Sequence, residues 1–481
     1  MRFGRMISLS PTESQFILHL DAFARSLNPP VDCRIAGGWV RDKLLSLPSH
    51  DVDVALSIPS GHSFAVAFVE YLRSQGITTG SVGKVAANPE QSKHLETGTT
   101  KILGLECDFV GLRSETYTDT RIPEVRPGTP LEDAQRRDLT INALFYNVHS
   151  RQVEDLTGKG LDDLQNRIAR TPLAPLQTFD DDPLRVIRCV RFASRYGLSI
   201  EPSVAEAIRN EEIKAALRNK VSKERIGIEV TKMVNKTPYE ALDLILELDL
   251  HRSVFTCSVD PPRDEVRPHC EILKRLPDTH PYHWLAAATT PFNGIQVPLH
   301  GKKGKEVPAP AEVISTGLKL GNDVRDGVVR LFEAAKIIDP SATQRSTIGT
   351  MLQHPSVRPW ERSMVWAIVS AIRPHWRGEW DESAQSTLDR YQAFIKLIHD
   401  LDLPRNIDRS PVLDGKAVQG ILNIKPSPVL SSILRAVNIW QLDHPQGTPE
   451  ECETWLRSKW EAGEWAEEVA ALAAKGEKRK R

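Results

Sequence analysis

A chain of 481 residues with 40% hydrophobic residues, 62 Lys and Arg against 63 Asp and Glu, and a formal net charge of −1 can bury a large core in roughly two to four structural units. That balance excludes a disordered polyelectrolyte, and it requires any nucleic-acid partner to be held by a local basic surface rather than by total charge. No apolar run approaches the roughly 20 residues of a membrane span; the best, Met364 to Ile372, lies between Arg362 and Arg373 and reads as a buried helix.

The amino-terminal MRFGRMISLS has two arginines, no acid before Glu13 and a second methionine at Met6, a pattern compatible with a short mitochondrial presequence or alternative starts. Strand-like runs follow at Arg34–Ala36, Asp51–Leu56, Gly80–Val85, Cys107–Leu112 and Ala143–Val148, separated by helical periods, so residues 1–150 read as an α/β head. RIPEVRPGTP, residues 121–130, reads as a mobile loop. From about residue 170 strand signals fade and capped helical periods take over, with VPLHGKKGKEVPAP (297–310) as a surface insertion. The six cysteines (33, 107, 189, 257, 270 and 452) form no C-x-x-C pair, which suits free thiols in a reducing compartment. His269, Cys270, His280 and His283 match no usual zinc spacing. The final KGEKRKR reads as a nuclear signal or a phosphate contact, a merely solvated tail being the alternative.

The densest chemistry lies in RIAGGWVRDKLLSLPSHDVDVALSI, residues 34–58. Arg34 to Ala36 form a short strand, Gly37-Gly38 break it, and Trp39 to Leu47 have helical spacing, so a strand enters a glycine turn that opens a helix. Backbone N–H groups at such a turn attract a triphosphate. On the next strand Asp51 and Asp53 point the same way. Two adjacent carboxylates can hold a pair of Mg²⁺ ions roughly 3.5–4 Å apart, one activating an attacking hydroxyl and the other steadying a leaving pyrophosphate.

With the Gly-Gly-x-Val-Arg-Asp turn at this spacing, the segment resembles the first signature of the polymerase-β-type nucleotidyltransferases, in the branch that holds tRNA CCA-adding enzymes and bacterial poly(A) polymerases. Further signatures follow. EDAQRRDLTINAL (132–144) resembles the second, which assigns a nucleotide contact to Arg137, with Arg136 as a second candidate. VEDLTGKGLDDL (153–164) resembles the third, a hinge that couples head to neck. Asp108 stands where the resemblance places a third strand carboxylate, a structural role being the alternative. SKERIGIEV (222–230) looks like the fifth signature, a capped packing helix, and LDGK (413–416) with IKPSP (424–428) resembles the tail of class II CCA-adding enzymes. CDFVGLRSETYTD (107–119) and the preceding SKHLETGTT are similar to the fungal branch.

The stretch FDDDPLR (179–185) starts a helix with an Asp cap and Pro at the first helical position. Arg185, Arg188, Arg191 and Arg195 then recur within an arc of about 120°. The family pattern is Glu-Asp-x-x-Arg; here Asp181 replaces the first acid, while Asp182 and Arg185 keep their places. Cytosine and adenine both present an amino donor beside a ring-nitrogen acceptor, whereas uracil and guanine reverse that order. An aspartate offers only acceptors and an arginine only donors, so an Asp182–Arg185 pair accepts C or A and rejects U and G.

The fold class expected is α+β: an N-terminal polymerase-β-like nucleotidyltransferase head with a mixed sheet, then an all-helical neck, body and tail. The expected divisions are 1–150 head, 151–235 neck with the base-reading motif, 236–395 body and 396–481 tRNA-binding tail. The resemblance implies an enzyme that adds CCA to the 3′ end of tRNA from CTP and ATP without a template. Asp51 and Asp53 would hold Mg²⁺; Gly38, Arg41 and Arg137 would hold sugar and phosphates; Asp182 and Arg185 would read the base; Arg188 and Arg191 would complete the pocket. Expected partners are tRNA, CTP and ATP and not a membrane, with residence in mitochondrion, cytoplasm and nucleus. A poly(A) polymerase or a partial CC- or A-adding enzyme is the alternative, and a non-catalytic RNA-binding scaffold is the alternative of another class.

Overall fold

Strand alternation builds the sheet that carries the carboxylates. In β1 (Cys33–Ala36) and β2 (Asp51–Leu56), Cys33, Ile35, Val52 and Val54 are buried while Asp51 and Asp53 stay open on the opposite face. The strands that follow are β3 (Gly83–Val85), β4 (Thr97–Ile102), β5 (Leu105–Gly111), the hairpin β6 (Arg113–Thr116) and β7 (Glu124–Pro127), then β8 (Phe145–Asn147) and β9 (Gln152–Glu154). Seven of them form one sheet in the order β3-β4-β5-β2-β1-β8-β9. Only β2 and β5 run parallel in it, which makes the sheet mixed. The computed structural model describes residues 7–49, 51–85, 96–116, 124–299 and 304–470.

Behind the sheet pack the helices Pro11–Ser26 and Gly61–Ser74. Phe23 lies 5.3 Å from both Phe64 and Phe68, which in turn lie 5.7 and 5.9 Å from Phe109 of β5. Because Phe109 faces this aromatic core, its neighbour Asp108 faces the side of Asp51 and Asp53. Glu13 ties the first helix to the glycine turn: it caps at Ser10, pairs with Lys43 at 2.6 Å and accepts from the Trp39 indole at 3.1 Å.

Several boundaries differ from the sequence expectation. The helix after the glycine turn runs Gly38–Leu44 rather than to Leu47, because Ser46 adopts φ 56° and Leu47 N–H closes onto Asp42 C=O at 2.8 Å. That is a left-handed helix end, with Pro48 just beyond it. In place of the expected 121–130 loop, Glu124–Pro127 form β7 paired with β6 and Pro130 opens a capped helix to Gln135, residues 121–123 lying outside the described residues. Phe179 to Asp181 end the helix Pro175–Asp181 instead of starting the next one. Asp182 is extended, Pro183 is helical and stands at the N-cap position, and the Asp182 carboxylate accepts from Leu184 N–H at 3.2 Å, two residues after the acids begin at Asp180. The extreme amino terminus, KGEKRKR, His300–Lys303 and the segments 86–95 and 117–123 lie outside the described residues.

Two compact units divide the chain. The first joins Met1–Asp260 with Val313–Leu320, and the second joins Pro261–Glu312 with Gly321–Arg481. In the first, helices follow the sheet from Gly160 to Val254, with one small addition, a parallel pairing of Ile168–Ala169 with Ser199–Ile200. Gly227 of the helix Lys223–Val234 lets Leu318 C=O approach to 2.0 Å from where a Cβ would stand, so the fifth signature does serve close packing. The second unit is helical apart from the hairpin Gln296–Pro298 with Glu306–Pro308. Its helix Trp360–Ile372 buries Met364, Trp366, Ala367 and Val369, and no helix among the described residues is long and apolar enough to cross a membrane.

Candidate active site

Gly37 shows why the turn needs its glycines. It adopts φ 62° and ψ −112°, which L side chains rarely adopt, and a Cβ there would stand 2.7 Å from Arg137 Nη1. The turn thus brings the Arg137 guanidinium against the backbone. Arg137 is held by Asp133 at 2.8 Å and by Asn142 C=O at 3.2 Å, over the face of Phe145. Arg41, one helical turn on, is buried between Asp42 at 2.8 Å and the Asn142 side-chain oxygen, with its guanidinium 4.4 Å from the Tyr196 ring centre.

A cavity of about 850 Å³ opens in front of this turn, and its wall includes all nine residues singled out from the sequence. Gly38 and Arg41 come from the turn, Asp51 and Asp53 from β2, Arg137 from the stretch after the helix Pro130–Gln135, and Asp182, Arg185, Arg188 and Arg191 from the start and face of the helix Leu184–Tyr196. Asp108 is not in the wall, but it stands beside Asp53 as its register partner on the parallel strand β5.

The carboxylates fall into two electrostatic kinds. Burial pushes Asp53 above the usual carboxylate range, with Asp51 adding to the shift and Arg137 opposing it. Asp108 is likewise pushed up, by burial and then by Asp53, Asp51 and Glu106. Across the cavity the sign reverses. Burial alone would raise Asp133 and Asp138, but Arg137 and Arg136 around the first, and Arg188, Asn142 and Leu139 N–H around the second, bring both down to about 2.

The helix Leu184–Tyr196 is braced rather than bare. Arg188 pairs with Asp138 at 2.7 Å, and Arg191 pairs with Glu229. Asp138 in turn accepts from Asn142 Nδ2 at 2.9 Å, and Tyr196 at the end of the helix donates to Asp42 at 3.0 Å. A closed chain of polar contacts, Arg188–Asp138–Asn142–Arg41–Asp42–Tyr196, therefore joins the helix to the glycine turn. Asp182 and Arg185 line the same cavity, but each has another partner: Asp182 takes Arg225 at 2.9 Å, while Arg185 lies 3.7 Å from Glu115 and donates to Thr178 C=O at 3.4 Å. Glu115, Arg225, Asp138 and Glu229 are the residues that sequence reasoning did not single out. Arg225 and Glu229 lay in the fifth signature, Asp138 in the second and Glu115 in the 107–119 stretch, but no local signal gave any of them a role in the site.

The residues present fit a divalent cation. Asp51 and Asp53 open on one face of β2, and Asp108 adds a third carboxylate beside them whose mutual repulsion a cation would relieve. Among the described residues no group of three or more His, Cys, Asp or Glu is placed so as to hold a metal ion by itself.

A mixed sheet that places paired carboxylates opposite a guanidinium-lined cavity defines a nucleotidyltransferase head. Residues 33–170 match the model of the poly A polymerase head domain. Over 483 aligned residues the chain is 35% identical to a mitochondrial CCA tRNA nucleotidyltransferase of Saccharomyces cerevisiae, covering 89% of this chain and 88% of that protein. It is 33% identical to the tRNA nucleotidyltransferase cca2 of Schizosaccharomyces pombe, covering 94% and 97%. The fold is similar to that of the Bacillus stearothermophilus CCA-adding enzyme solved with CTP, with a TM-score of 0.65 at 19% identity over 95% of this chain and 99% of that one. The chain belongs to the CCA tRNA nucleotidyltransferase family.

Proposed function

We propose that this enzyme adds C, C and A to the 3′ end of tRNA from CTP and ATP, without a nucleic-acid template and with release of pyrophosphate. One observation carries the reading: a single cavity joins the β2 carboxylates, the glycine turn and the Asp182–Arg185 start of the base-reading helix. Relatives over nearly the whole chain are named tRNA nucleotidyltransferases, which favours CCA addition over a poly(A) polymerase or a scaffold.

The family uses a divalent metal ion. We assign Mg²⁺ to Asp51 and Asp53, where it would lower the pKa of the primer 3′-hydroxyl and neutralise charge at the α-phosphate. The 3′-oxygen then forms a bond to the α-phosphorus as the bond from that phosphorus to the pyrophosphate oxygen breaks. Arg41 and Arg137, with the Gly38 backbone, hold sugar and phosphates in line for that attack, and Arg188 and Arg191 close the wall. Asp182 and Arg185 read the base. Arg225 and Leu184 N–H fix the plane of the Asp182 carboxylate while leaving acceptor sites free, and the Arg185 side chain lines the cavity beside it.

The division at 150, 235 and 395 is kept as a proposal for head, neck, body and tail, the last three gripping tRNA through backbone shape and phosphates. Relatives named as mitochondrial support residence there; the cytoplasm and nucleus are proposed as further sites. The test is to incubate purified protein and Mg²⁺ with tRNA ending at the discriminator base, and to read product length. CTP alone should stop at two added residues and CTP with ATP at three. A long A ladder, or no extension despite tRNA binding, would overturn the reading.

A further inference from the structure

Beside the main cavity lies a second, of about 250 Å³, that the chemistry above does not use. It runs between the helix Leu184–Tyr196 and the helix Lys223–Val234, and continues into the turn after the latter. Arg191, Arg195 and Lys232 line both cavities, so the two adjoin; Lys236, Thr231 and Asn235 line the second and not the first.

Its charge is one-sided. Four cations, Arg191, Arg195, Lys232 and Lys236, line it, and Glu229 engages only Arg191 and Lys232, the latter at 3.0 Å. Arg195 rests over the Tyr196 ring, and neither Arg195 nor Lys236 has a carboxylate partner among the described residues. Both side chains are exposed, so each can bind an anion without leaving a buried partner unpaired.

The cations come as two pairs four residues apart, Arg191 with Arg195 on one helix and Lys232 with Lys236 across the end of the other, Lys236 lying in the turn beyond Val234. On the first helix that spacing is a step of roughly 6 Å. A ladder of that pitch suits successive phosphates of an extended strand better than a single diphosphate, whose two phosphorus atoms share one oxygen. We propose that this groove carries phosphodiesters of the tRNA acceptor strand to the active-site cavity, an assignment that rests on the tRNA reading above.

Lys236 tests it, because it lies outside the main cavity. The variants Lys236→Gln and Lys236→Glu would be compared with the unaltered protein in four measurements: KM for tRNA lacking CCA, KM for CTP, equilibrium tRNA binding across KCl concentrations, and KM for pyrophosphate in the reverse reaction. The expected result is a tRNA KM raised on the order of tenfold in Lys236→Glu, the worth of one charge-assisted contact, and less in Lys236→Gln. The salt slope of binding should fall by about 1, with the KM values for CTP and pyrophosphate unmoved. An unchanged tRNA KM and slope would overturn the proposal, as would a raised pyrophosphate KM alone, which would make the groove an exit for the leaving group. Failure of the unaltered protein to extend tRNA would instead sink the functional reading, and the binding slopes would still report on the groove.

Discussion

Carboxylates in and beside the lining of one cavity meet opposite fates. On the β2–β5 face Asp53 and Asp108 stand beside one another and near Asp51, and both are pushed above the usual range. On the 133–142 wall Asp133 and Asp138 are more deeply buried, at 2% and 6% exposure, yet are held at about 2. Burial therefore does not decide the outcome; the neighbours do. Guanidinium groups within hydrogen-bond distance complete the second wall as it folds, whereas the first keeps mutual repulsion that Arg137 offsets only in part.

The largest effect expected from breaking that contrast is on β2. Asp51→Ala should reduce nucleotide transfer on the order of 10³-fold or more, since several kcal/mol of charge stabilisation at the reacting phosphate go with it. Binding of tRNA should be retained, and EDTA should reproduce the loss in the unaltered protein, with recovery on added Mg²⁺. Single-turnover extension measured beside tRNA binding checks both; near-normal turnover in Asp51→Ala would remove the metal role from this strand.

The matching change on the other wall should act on folding. Asp138→Ala leaves Arg188 and Asn142 without their shared acceptor and should destabilise the protein by about 3 kcal/mol, the low end for breaking a buried pair because Arg188 retains some solvent. The pH dependence follows from the direction of the shift. A carboxyl held at about 2 when folded and about 3.9 when unfolded contributes stability that is fully present above pH 4 and lost as pH falls towards 2. The gap between the urea midpoints of the two proteins should thus be constant from pH 7 to 5 and narrow below 4. A gap that stayed constant down to pH 2.5 would show that Asp138 is not the charged acceptor described.

These two walls were unequally legible in the sequence. β2 announced itself, because alternation of aspartate with valine is a local pattern and the glycine turn lies only a dozen or so residues earlier. The arginine stripe was equally local. Its partners were not: Asp138 and Arg188 are 50 positions apart, Asp182 and Arg225 are 43 apart, and Arg191 and Glu229 are 38 apart. Charged side chains that pair over such distances leave no period, so the stripe could be read as a wall but not as a braced one. Glu115 was hidden for a further reason. Its strand, RSET, is polar at every position and lacks the alternation that marks a strand, as does the TGTTKI of β4.

A smaller effect should come from the base-reading pair. Arg185→Ala removes the donors opposite the ring nitrogen and should raise misincorporation of U or G relative to C by roughly tenfold to a hundredfold, while the rate with CTP falls less. Competition between labelled nucleotides in a single extension step measures the ratio directly. Unchanged selectivity would mean that Arg185 serves only Glu115 and the fold.

The smallest expected effect probes how the two ends of the cavity are tied together. Tyr196 touches the glycine turn twice, through its hydroxyl on Asp42 and its ring under Arg41. Tyr196→Phe keeps the ring and loses only the hydrogen bond, about 1 kcal/mol, so the KM for both CTP and ATP should rise up to about fivefold. Tyr196→Leu loses the stacked face as well and should raise both KM values further. Neither variant reaches Asp182 or Arg185, at the far end of the same helix, so the C-to-A preference should not move. If the KM for ATP rose while that for CTP did not, the helix would be passing base identity to Arg41, and reading and phosphate binding would have to be treated as one site.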